Sequence, residues 1–79
     1  MDLLIISPQE EILNTTNVDL IECDGIDGKF QILNNHATML NVLKNGKIRY
    51  KINNEEKNID FGKENAILKV ENNKVVILL

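Results

Sequence analysis

Polar and apolar residues alternate one by one through Lys47–Ile52, and this period of two is the strongest constraint on what the chain can fold into. Ile48, Tyr50 and Ile52 line one side of an extended strand, and Lys47, Arg49 and Lys51 line the other. The pattern returns in Val18–Cys23, in Lys29–Ile32 through Phe30 and Ile32, and in Lys57–Phe61 through Ile59 and Phe61. Leu3–Ile6, Ala66–Val70 and Val75–Leu79 are apolar runs of strand length, and Glu10–Leu13 is either a further strand or the end of a loop. Turn residues separate the runs: Ser7-Pro8, Asp24-Gly25, Asp27-Gly28, Asn34-Asn35, Lys44-Asn45-Gly46, Asn53-Asn54 and Asn72-Asn73. Asn and Gly accept the left-handed backbone angles that tight turns need. No segment keeps a helical period. Short strands with turns at intervals of about eight to twelve residues predict an all-β fold, a flattened antiparallel sandwich or barrel.

The alternation also predicts a core: Leu4, Ile6, Ile21, Phe30, Ile32, Ile48, Tyr50, Phe61, Leu68, Val70 and Ile77. In the uninterrupted apolar runs a slip of one residue exchanges the two faces. Seventy-nine residues form one domain over 1–79, and a chain of this size buries only about 60% of its unfolded surface. Cys23 is the only cysteine, so no disulfide can form within the chain.

Nine basic against twelve acidic side chains give a net charge of −3. That balance disfavours sequence-independent binding to nucleic acid, which needs clustered cations against phosphate. No apolar run reaches the ~20 residues that span a bilayer. Leu3–Ile6 is too short, and lacks the basic flank, to be a signal peptide. The expected location is cytoplasmic, with any membrane association made through a partner.

Candidate chemistry is sparse. His36 has no nucleophile or acid placed beside it in sequence, and one His with one Cys cannot build a zinc site. The expectation is a turn histidine, bonded locally or facing a partner. Cys23 lies in an alternating strand and reads as a buried, inert thiol. Gly25-x-x-Gly28 lacks the Lys-Ser/Thr ending of a phosphate loop. The Lys47, Arg49, Lys51 face reads as solvated rather than as a binding site. No catalytic residue, metal or cofactor is expected.

One stretch carries more specific information. Gly28-Lys29-Phe30-Gln31-Ile32-Leu33-Asn34-Asn35-His36-Ala37-Thr38-Met39-Leu40-Asn41-Val42-Leu43 resembles a segment of the epsilon subunit of F-type ATP synthases, through Gly28, Phe30, Leu33, His36, Ala37, Leu40 and Leu43. Asn34-Asn35 stands where the family has Pro-Gly, Thr38 where it has Pro, Lys29 where it is commonly acidic, and Asn41 where it has Thr. Ile5-Ile6-Ser7-Pro8 and the residues Leu68, Val70, Asn73, Val75, Ile77 and Leu78 extend the likeness along the chain. Glu64-Asn65-Ala66 replaces the family's Ser-Gly-Gly.

The resemblance implies a flattened sandwich of two mostly antiparallel sheets, the N-terminal β-domain of an epsilon subunit without the C-terminal helical pair. It implies a non-catalytic rotor subunit at the foot of the central stalk. That subunit is peripheral to the cytoplasmic face of the cell inner membrane and reaches the membrane only through the complex. Ser7, Asn41 and the adaptable Met39 fall where the family meets gamma. Lys29 and His36 fall where it meets the c-ring, and they are expected at one exposed end. Without the helical pair, neither ATP binding nor helix-mediated restraint of hydrolysis is expected. A small ligand- or oligonucleotide-binding barrel is the alternative. It would need stacking aromatics on a basic face, whereas Phe30, Tyr50 and Phe61 fall on apolar faces. A small enzyme is disfavoured by the missing constellation.

Overall fold

The computed structural model describes residues 1–62 and 65–79. Eight strands follow in chain order: β1 Asp2–Ile6, β2 Glu11–Thr15, β3 Leu20–Gly25, β4 Gly28–Leu33, β5 Met39–Ile52, β6 Glu55–Asp60, β7 Ile67–Glu71 and β8 Lys74–Leu78. One layer orders as β2-β1-β8-β7-β5 and the other as β4-β3-β5-β6. β5 belongs to both. Met39–Val42 pairs with β7, and the remainder pairs with β3 on one side and β6 on the other.

The two layers close on one apolar core. Leu3, Ile5, Leu68, Val70, Val75 and Ile77 come from the first layer, and Ile21, Cys23, Ile32, Ile48 and Tyr50 from the second. Leu43 fills the bend between them with none of its surface exposed. Each fully buried Leu, Ile or Val contributes about 1.5–3 kcal/mol. Phe30 and Phe61 are half-buried and pack against this core rather than within it.

Two expectations are corrected. Leu4 and Ile6 are not core residues; Leu3 and Ile5, both fully buried, are. Asp2 has the same parity as Leu4 and Ile6, so seating those two inside would bury a carboxylate, at a cost far above the gain from one methyl-rich face. Next, Lys44-Asn45-Gly46 makes no reversal but lies inside the fourteen-residue β5. There the strand bends from one layer to the other while its pairing with β3 shifts register between Cys23 and Gly25. Asn45 holds the bend, its Nδ2 donating to Asp24 Oδ2 at 3.1 Å and its Oδ1 accepting from the Lys47 N–H at 3.1 Å. A Cβ at Gly25 would meet Phe30 Cε1 at 2.8 Å and Gly28 O at 3.0 Å, so any larger residue would force its neighbours to shift. The sheets are mostly antiparallel, as the resemblance implies, and β1 with β8 is the parallel pair.

Asparagine supplies the turns. Asn53 and Asn54 (φ 53° and 64°) close the β5–β6 hairpin, and Asn72 and Asn73 (φ 52° and 58°) close β7–β8. Two positive angles in a two-residue loop match the right-handed twist of the strands they join. Asn73 also ties the β7–β8 hairpin to the β4–β5 connection, since its Oδ1 accepts the Asn35 N–H at 2.8 Å. Of the Glu64-Asn65-Ala66 segment, Glu64 lies outside the described residues, Asn65 has φ 60°, and Ala66 is buried.

Candidate interaction surfaces

The two outer faces of the sandwich differ in kind. On the β4-β3-β5-β6 layer the register sets Lys29 opposite Asp24, Glu22 opposite Arg49, and Lys51 opposite Glu56. Lys47 stands opposite Asp60. Opposite charges directly across a strand pair stabilise a sheet, and here these four cations each have an anion on a neighbouring strand. Arg49 Nη2 reaches Glu22 Oε2 at 2.8 Å. That hydrogen bond, then the Glu22 charge, raises the guanidinium further above its ordinary pKa. The face satisfies itself in water, which agrees with the solvated reading of Lys47, Arg49 and Lys51.

The other outer face is apolar where it should be wet. Register aligns Val42, Ile67, Leu78 and Ile6 in one row across four strands. The next row runs Leu40, Lys69, Val76, Leu4. Lys69 is the one charge in that row, and it pairs with Glu71 at 3.0 Å; the third row is charged throughout its Glu71, Lys74 and Asp2 positions. Leu40 is 71% exposed, Ile67 43% and Leu78 41%. Ile26, 60% exposed, extends the patch because its N–H donates to Val42 O at 2.9 Å. A contiguous apolar patch of this kind marks an interaction surface on a soluble domain.

The residues singled out from the sequence distribute unevenly over this frame. Ser7 follows Ile6 just past the end of β1, whereas Asn41 is set opposite the buried Leu68, at the parity of Met39, and lines the depression beside Leu40. The Ser7 hydroxyl closes a turn, accepting from the Glu10 N–H at 3.2 Å. Met39 pairs with Val70 and is half-buried against the core; the neighbouring side chain that stands in solvent is Leu40. Lys29 sits beside the β3–β4 hairpin, opposite Asp24.

His36 lies beyond the far end of β4, half-buried, with Nδ1 2.8 Å from Ala37 O. Lys29 and His36 therefore do not share an end. β4 runs between them, and Lys29 to Leu33 alone spans about 13 Å at ~3.3 Å per residue. Ile26, Leu40, Ile67 and Leu78 were not picked out as site residues. Their signal is an apolar residue at the parity of a charged one.

Among the described residues no group of three His, Cys, Asp or Glu side chains could hold a metal. Burial, with Asp24 and Glu22 adding to it, pushes the Cys23 thiol up to about 12. Among the described residues no helix is long and apolar enough to cross a membrane. The aromatic Tyr50 is 7% exposed, which removes it as a stacking platform.

A small β-sandwich with one self-paired face and one bare apolar face defines a binding and assembly domain. The whole of residues 1–79 matches the model of the ATP synthase Delta/Epsilon chain beta-sandwich domain, and the chain belongs to that family. It is 32% identical over 74 residues to the ATP synthase epsilon chain of Chlorobium limicola, spanning 94% of this chain and 82% of that one. It is 35% identical over 78 residues to the epsilon chain of Clostridium botulinum, and 31% over 78 residues to that of Symbiobacterium thermophilum. The chain spans 57% and 55% of the length of those two relatives. The fold recurs in a chain of the Tetrahymena thermophila mitochondrial ATP synthase central stalk and c-ring, with TM-score 0.76 and 23% identity over 98% of this chain and 60% of that one. A Euglena gracilis mitochondrial ATP synthase chain gives TM-score 0.82 and 18% identity over 96% and 48%.

Proposed function

We propose that this chain is an epsilon-type, non-catalytic subunit of the central stalk of a proton-translocating F-type ATP synthase, joining gamma to the c-ring and supporting assembly and coupling. The observation that carries the reading is the Leu40, Val42, Ile67, Leu78, Ile6 face, an apolar surface on an otherwise charge-paired domain. Gamma covers this face, with Ser7 and Asn41 at its margins and Met39 supporting Leu40 from the core side. The c-ring contact is polar and uses Lys29 at the β3–β4 hairpin. His36, at the opposite end of β4, makes a separate contact. Within the assembly the subunit is peripheral to the membrane, at the cytoplasmic face of the cell inner membrane.

The test is co-expression with the gamma subunit of the same organism, followed by titration calorimetry. Ile67→Asp puts a charge at the centre of the apolar row and should weaken binding at least about tenfold, the size of a hot-spot loss. Lys51→Asp, on the charge-paired face, should leave binding unchanged. Equal affinity for wild type and Ile67→Asp would refute the assignment.

A further inference from the structure

We infer that the partner on the apolar face docks by strand addition: an extended segment hydrogen-bonds to the main chain of Leu40 at the open edge of β5 and sets one apolar side chain against Ile26. This rests on the docking role proposed above and specifies how the contact is made.

The argument starts from which way the main chain points. In an antiparallel pair, successive residues turn their N–H and C=O groups alternately toward and away from the neighbouring strand. Val42 O accepts the Ile26 N–H, and Ile26 lies on the β3 side of β5, away from β7. Leu43 N–H donates the other way, to Ala66 O at 2.8 Å. The alternation then gives Met39 and Asn41 to β7, and turns both main-chain groups of Leu40 toward the β3 side. On that side the β3–β4 hairpin ends at Ile26 and Asp27. Among the described residues β7 is the only strand paired with Met39–Val42. The sheet thus stops at Leu40 with an amide donor and a carbonyl acceptor pointing outward, and unpaired edge groups of this kind template the addition of another strand.

The side chains at the same place make a receiving notch. Ile26, Asp27, Leu40, Asn41, Val42 and Ile67 line a depression of about 290 Å³ at the surface. Its two most exposed apolar walls are Leu40 and Ile26. The open edge of β6 is guarded. β6 carries Glu55, Glu56, Lys57 and Asp60, and charged residues on an edge discourage pairing. The Met39–Val42 stretch of β5 carries no charged residue of its own, and Ile26, Val42 and Ile67 flank Leu40 with apolar surface, with Asp27 at the rim. The occupant this combination fits is an extended segment of the stalk partner that carries an apolar residue at every second position.

The test separates the main-chain contact from the side-chain contact. Leu40→Ala removes only the side chain, whereas Leu40→Pro removes the side chain and the outward N–H. Proline is tolerated on an edge whose N–H faces away from the ladder. With gamma as the probe in calorimetry, Leu40→Ala should weaken binding. Leu40→Pro should weaken it a further three- to tenfold, the effect of about one hydrogen bond. A semisynthetic chain with an ester in place of the Leu40 amide keeps the leucine and avoids the ring. It should lose about the same three- to tenfold relative to wild type. Equal affinities for Leu40→Ala and Leu40→Pro, together with an ester chain that binds as wild type, would overturn strand addition and leave face docking standing. If Ile67→Asp is also silent, the docking role itself fails.

Discussion

The facing of β1 can be tested by a paired truncation, Leu3→Ala against Leu4→Ala. Leu3 has none of its surface exposed and sits between Thr15 on β2 and Val75 on β8, with the second layer above it. Removing a buried leucine's outer carbons loses their transfer energy and leaves a cavity, together about 2–5 kcal/mol. A chain of 79 residues has a total stability of roughly 4–12 kcal/mol, at about 0.05–0.15 kcal/mol per residue. Leu3→Ala should therefore remove a large fraction of it. Leu4 is half-buried on the outer face, and water fills the space its truncation leaves. That variant should cost under about 1 kcal/mol and should instead weaken partner binding. Urea unfolding followed by far-UV circular dichroism measures both. Should Leu3→Ala prove unfolded, Ile5→Val, expected to cost about 0.5–1.5 kcal/mol, can be compared with a near-neutral Ile6→Val. A Leu4→Ala loss equal to or larger than that of Leu3→Ala would refute the assigned facing of β1.

Two further outcomes follow from local geometry. Asn54 holds φ 64° in the β5–β6 turn; Asn54→Ala should cost about 1–2 kcal/mol in urea unfolding, while Asn54→Gly should stay within about 0.5 kcal/mol. Cys23 keeps its proton in the folded state up to about 12 against an ordinary 9.0, chiefly through burial. The unfolded chain therefore releases the proton first, and stability contributed by the neutral thiol is complete below pH 9 and lost as pH rises from 9 toward 12. Cys23→Ser removes the raised thiol, so its unfolding midpoint should fall less steeply over that window, and the native thiol should resist alkylation at pH 8.

Much of the fold was legible because charged residues at alternate positions fix the parity of strands such as β5 and β7. Lys47, Arg49 and Lys51 leave no choice but Ile48 and Tyr50 inside, and Lys69 and Glu71 do the same for Leu68 and Val70. β1 offered the same clue in Asp2, but the run from Leu3 to Ile6 is apolar at both parities and hid it. The bend in β5 was not legible. Asn45-Gly46 has turn chemistry, and what keeps the strand going is long-range: Asp24 holding the Asn45 amide, and Phe61 N–H bonding Gly46 O at 2.7 Å. Tertiary partners decided between two local conformations that the residues allow equally. The parallel pairing of β1 with β8 was equally hidden, because strand order depends on contacts between the chain's two ends.

The interaction face was hidden for a different reason. Period-two reading assigns apolar residues to the core and polar residues to water, so it cannot mark a strand that is apolar on both sides. Yet once parity is fixed, the leftover apolar residues carry the information. Leu4 and Ile6 share a parity with Asp2, Val76 and Leu78 with Lys74, and Ile67 with Lys69. In each of these strands the charged residues lie toward the Asn72-Asn73 end and the apolar residue lies toward the Ser7 end. Pairing in register stacks these half-strands side by side, so the sheet's outer face is divided across its middle into a charged half and an apolar half. Core formation has no use for that division, since the core lies on the other side of the sheet. It is the arrangement expected when one half of a face is reserved for a partner and the other half remains in water.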